Sequence, residues 1–66
     1  MKNRLKIARA ELDITQEELA KRIGVSRQTI NAVESARYVP STVLALNMAQ
    51  VFGKSVEEIF MLEEED

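Results

Sequence analysis

Apolar positions recur along the chain in five blocks of helical spacing, each set off by a short polar turn. Leu5, Ala8 and Leu12 fall three and four apart, which predicts an amphipathic helix over residues 3–12. Arg9 lies beside that stripe and Ile7 points away from it. Asp13 closes the helix, as Asp tolerates a left-handed backbone, and Ile14 plugs the core. Thr15 stands three residues before Glu18, the spacing of a capping box, and opens a second helix at Gln16–Ile23. Leu19, Ala20 and Ile23 form its inner face. Gly24 stops it, because glycine enters the left-handed region without a Cβ penalty. Ser26 is placed to cap a third helix running from about Arg27 to Glu34. That helix carries Ile30 and Val33 inward and leaves Arg27, Gln28, Asn31 and Ala32 outside. Ser41, after Pro40, caps a fourth helix whose inward set is Leu44 or Ala45, Met48, Ala49 and Phe52. Gly53 ends it. Ser55 and Glu58 repeat the capping-box spacing and open a short fifth helix through Ile59 and Phe60. Met61 and Leu62 follow, and the last four acidic residues are expected to fray.

This pattern predicts an all-α, five-helix fold in one domain, residues 1–66, with residues 61–66 as a short acidic tail. Residues 15–34 read as two short helices about a tight turn, a helix-turn-helix whose second helix can enter the major groove. The ordered series ITQEELA, IGVSRQTINAVE, RYVPS and ALNMAQVFGKSVEEIF resembles the lambda-repressor-like helix-turn-helix regulators of the Cro/C1 (XRE) type over nearly the whole chain. The resemblance implies a lambda-repressor-like DNA-binding domain. Two positions depart from the family pattern: Asp13 and Ala36 stand where the family usually has glycine. Alanine lacks glycine's freedom at positive φ, so the path of Ser35–Tyr38 is the local feature the departure puts in question.

Charge sharpens the picture. The net charge is −2, but residues 1–40 hold eight Lys/Arg against five Asp/Glu, and residues 41–66 hold one against six. The half with the helix-turn-helix is therefore the basic half, and local potential at a contact face matters more than the sum. With no cysteine and no histidine, disulfides, thiolate ligands and the commonest zinc ligand are absent, and no cofactor is expected. The carboxylates lie on solvated helix faces without a visible cleft, so an enzyme is a weak reading. No apolar run opens the chain as a signal peptide would, and none approaches the roughly 20 residues of a membrane span. A cytoplasmic protein with no membrane partner is expected.

In a helix docked in the major groove, side chains near the N-terminus read base edges. Arg27 suits guanine and Gln28 suits adenine. Asn31, one turn on, can reach a base or a phosphate, and Ala32 can touch a thymine methyl. The resemblance implies base-facing roles for Arg27, Gln28 and Ala32. It also implies that Gln16 bonds a backbone phosphate and supports the first side chains of the third helix. Ser35, Arg37 and Tyr38 match the family's second phosphate-contacting region. Arg9 and Glu34 match a partly buried ion pair that fixes the recognition helix against the first helix. Lys6, Arg4, Lys21 and Arg22 read as solvated charges adding diffuse attraction.

The implied partners are double-stranded DNA and a second copy of the chain. One module this small makes few contacts, and two on a palindromic operator would sit about 34–36 Å apart. The second half holds more apolar residues than one small core needs, and Phe60, Met61 and Leu62, helped by Leu46 or Val43, are the expected dimer surface. A repressor acting by obstruction outranks an activator, although Glu17 and Glu18 are candidates for touching RNA polymerase. A second reading, motivated by the acidic half, is an antitoxin-like or other protein-interaction module that also binds DNA.

Overall fold

The computed structural model describes residues 1–66. Five helices form in the predicted order: α1 (Leu5–Leu12), α2 (Gln16–Ile23), α3 (Arg27–Glu34), α4 (Thr42–Phe52) and α5 (Val56–Ile59). Two short extended segments, β1 (Lys2–Asn3) and β2 (Phe60–Met61), join the ends as an antiparallel pair, Lys2 opposite Met61 and Asn3 opposite Phe60. No helix is long and apolar enough to cross a membrane.

Local chemistry sets the helix starts. Thr15 and Ser55 each accept a backbone N–H from the glutamate three residues on, and that glutamate accepts theirs in return, closing both capping boxes. Ser26 and Ser41 accept from Thr29 N and Leu44 N at 3.1 Å each. These hydroxyls and carboxylates satisfy amides that have no partner within the helix.

One device ends four helices. Asp13, Gly24, Ala36 and Gly53 all adopt positive φ. After α3 the Ala36 N–H donates to Val33 O at 3.0 Å and the Arg37 N–H to Ala32 O at 2.9 Å. This is the Schellman arrangement. The same two bonds recur at Asp13–Ile14 and Gly53–Lys54. Ala36 therefore keeps the path a glycine would take, at φ 62°, and carries the Cβ strain of that region.

Fourteen residues form one core in which every helix takes part, including Leu5, Leu19, Ile30, Met48 and Ile59 with no exposed surface. Both Leu44 and Ala45 are buried, so α4 turns a broader face inward than a single stripe.

Four expectations are corrected. The first helix starts at Leu5 rather than residue 3, because Asn3 lies in β1 and Arg4 is the N-cap residue; Asn3 Oδ1, one residue earlier, accepts the Leu5 N–H at 3.1 Å. Leu12 is 41% exposed: the packed surface of α1 ends one turn earlier. The fifth helix stops at Ile59, and Phe60 passes into β2 and the core at 7% exposure. The acidic tail is turned back rather than frayed, with Glu63 and Asp66 carboxylates 3.3 and 3.2 Å from the Met1 amine.

Candidate nucleic-acid interface

The outer face of α3 is the centre of the site. Arg27, Gln28 and Asn31 are exposed and Ala32 is half-buried. Ile30 and Val33 are buried on the opposite side, which fixes the rotation of the helix and hence which side chains face out. Thr29, beside them, is drawn into the cap: its Oγ1 lies 3.0 Å from Ser26 Oγ.

A polar network fastens the far end of this helix. Glu34 receives Arg9 Nε at one carboxylate oxygen and Arg9 Nη2, at 3.1 Å, at the other. Arg9 Nη1 donates to Ile14 O at 2.9 Å. The two side chains are 15% and 8% exposed, and two parallel N–H donors fix angle as well as distance. These hydrogen bonds to Glu34 raise the Arg9 guanidinium further above its ordinary value against the opposing effect of burial. The predicted ion pair is present.

Gln16 joins the same network. Its Nε2 donates to Glu34 Oε1 at 3.2 Å, so it supports the last residue of the recognition helix and not the first ones. Asn3 supplies a second fastening, donating from Nδ2 to Val33 O at 2.9 Å. Sequence reading missed Asn3. Its only local signal was an asparagine just before a helix.

Beyond α3, Arg37 reaches back. Its Nη2 donates to Asn31 Oδ1 at 2.7 Å and its Nε to Ser35 Oγ at 2.8 Å. Ser35 Oγ in turn donates to Ala32 O at 3.3 Å. Of the expected phosphate-contacting residues, Gln16 and Ser35 line one polar depression together with Lys6 and Asn31. Gln16 also borders Arg27 across a neighbouring depression. Lys6 thus belongs with this group, three residues before Arg9 on the same side of α1. Tyr38, 47% exposed, lies apart, beside Val39, Pro40 and Asn3. Glu18 is spent in its capping box, which leaves Glu17 the freer of the two carboxylates considered for polymerase.

A fastened helix with an outward row of Arg, Gln and Asn, set at a turn from a helix that braces it, is the geometry of a groove reader. A helix-turn-helix family model matches residues 5–59. The chain belongs to the helix-turn-helix regulators of the Cro/C1 type. This Cro/C1-type regulator is 52% identical over 66 residues to the uncharacterized HTH-type transcriptional regulator MJ0272 of Methanocaldococcus jannaschii, with all of both chains covered. It is 46% identical over 66 residues to the uncharacterized HTH-type regulator YgzD of Bacillus subtilis, again over all of both chains. Among solved structures it is similar to the P22 c2 repressor in complex with a synthetic operator, with a TM-score of 0.78, 28% identity and 82% of each chain covered. The family is a class of transcriptional regulators and not of enzymes, and no group of three or more metal-binding side chains converges anywhere in this regulator.

The expected dimer surface is only partly available. Phe60 is buried and Met61 half-buried in β2, whereas Val43, Leu46 and Leu62 are 68%, 52% and 79% exposed. Leu46 and the edge of Phe60 line a shallow apolar groove with Val39, Pro40, Ala45 and Val56.

Proposed function

We propose that this regulator binds operator DNA as a two-fold symmetric homodimer in the cytoplasm and represses by obstructing transcription. The observation that carries the reading is the outward polar face of α3 on a helix fastened at its C-terminal end by Arg9, Gln16 and Asn3. Arg27 and Gln28 read base edges, Ala32 contacts a methyl group, and Asn31 reaches a base one turn on. Gln16 and Arg37 hold phosphate oxygens, as does Ser35 once its hydroxyl turns from its long 3.3 Å bond to Ala32 O, with Tyr38 at the margin and Lys6 added to the set. Gln16 keeps one free amide N–H for this while the other is held by Glu34. The operator bound by the structurally similar P22 c2 repressor supports the assignment of duplex DNA as ligand. The homodimer forms through Val43, Leu46 and Leu62 with Val39, over the groove floored by Phe60.

Selection of bound sequences from a random duplex pool tests the reading. A palindromic motif is the expected result, with Arg27→Ala and Gln28→Ala each losing about 1–3 kcal/mol of discrimination at one base pair. Recovery of no motif, with binding equal to that for bulk DNA, would overturn sequence-specific regulation.

A further inference from the structure

The bond from Arg37 to Asn31 decides what the recognition helix can ask of a base. The guanidinium is a donor only, so the Asn31 atom facing it at 2.7 Å is the oxygen, and the two N–H donors of the amide are left for other partners. Ser35 Oγ accepts from Nε on the same edge of the guanidinium at 2.8 Å, so Arg37 is held by two partners and not merely resting near one. An unrestrained asparagine can offer an acceptor and a donor together, the pair that matches the N6 and N7 of adenine. With one lone pair of its oxygen taken by Arg37, Asn31 keeps a single acceptor position beside its two amide donors.

We infer that Arg37 is a specificity-determining positioning residue: by taking one lone pair of the Asn31 carbonyl and holding the amide in one orientation it biases Asn31 toward guanine, which presents two acceptors in the major groove, over adenine. This inference rests on the DNA-binding reading above and names the base that its third reading position prefers. Cytosine, which presents a donor in the groove, is disfavoured on the same ground, and thymine with its single O4 acceptor falls between. The remaining N–H groups of Arg37 are free for a phosphate. One side chain then couples the position of the helix on the backbone to the chemistry of the base it reads.

Four chains are compared in the same selection: the natural one, Asn31→Ala, Arg37→Ala and Arg37→Lys. The three variants carry their changes on exposed side chains, and circular dichroism checks that each is folded. Asn31→Ala is expected to relax the preference at one base pair per half-site, which locates the contact. At that pair the natural chain should prefer guanine. Arg37→Ala should move the preference toward adenine by roughly fivefold or more, leaving the other pairs unchanged. Arg37→Lys, which keeps a donor, should retain more of the guanine preference than Arg37→Ala. The inference is overturned if Asn31→Ala relaxes no position. It is also overturned if Arg37→Ala weakens binding to every sequence equally with no change of base, since Arg37 would then be a phosphate contact alone. A clear motif from the natural chain in either of those cases leaves sequence-specific binding intact, so the two readings fail separately.

Discussion

Glu34 accepts three side-chain hydrogen bonds at 8% exposure, two from Arg9 and one from Gln16. Removing its charge leaves the Arg9 guanidinium half-buried without a counter-ion. Glu34→Gln is expected to lose about 3–5 kcal/mol, nearer the lower figure because Arg9 keeps some water contact. Urea unfolding of the free protein measures it, and an unchanged midpoint would mean that the pair contributes nothing. Ala36 gives the opposite case. Its φ of 62° costs alanine roughly 1–2 kcal/mol over glycine in the folded state. Glycine's looser unfolded chain returns about 0.4–1 kcal/mol of that. Ala36→Gly should therefore raise the melting temperature slightly, and Ala36→Val should lower it. The ion pair was legible in the sequence through family resemblance, and the strain at Ala36 through one departure from it. The Arg37–Asn31 and Gln16–Glu34 bonds were not legible, because exposed polar side chains have several partners within reach and only the fold selects one.

The helices themselves were the most legible level. Their starts depend on residues three apart and their stops on a single left-handed residue, and both signals lie in sequence next to the boundary they set. The β1–β2 pair left no such mark, as two-residue strands are too short to display a period and their partners lie at opposite ends of the chain. Leu12 fitted the stripe of α1 by spacing, and spacing does not record where the opposing surface ends. The two capping boxes carry a pH signature. Backbone hydrogen bonds from Thr15 and Ser55 hold the Glu18 and Glu58 carboxyls below their ordinary value of 4.5. A depressed carboxyl value means stability present above 4.5 and lost as pH falls through the lower, folded values. The double change Glu18→Gln, Glu58→Gln keeps an acceptor at each box and removes the titration. Melting followed by circular dichroism from neutral pH to roughly pH 2 should then show a shallower acid limb than the natural chain. Identical limbs would assign acid sensitivity to other carboxylates.

At the scale of the whole molecule, two apolar side chains on the same groove separate folding from assembly. Phe60 is 7% exposed and belongs to a core of 14 residues, while Leu46 is 52% exposed. Phe60→Ala should cost about 3–5 kcal/mol, a large share of what so small a domain has. Leu46→Glu should leave the melting temperature of the monomer nearly unchanged and shift sedimentation at micromolar concentration from dimer to monomer. A dimer that persists in Leu46→Glu would move the interface away from α4. The pairing of β1 with β2 also bears on how the molecule is made. The residues of the recognition helix are all in place once Glu34 has been synthesised, yet the backbone of Asn3 finds its partner only when Phe60 follows. Until then one of the two fastenings on α3, the bond from Asn3 to Val33, hangs from a loose strand. The orientation of the recognition helix is thus tied, through Asn3, to the pairing of two segments nearly sixty residues apart.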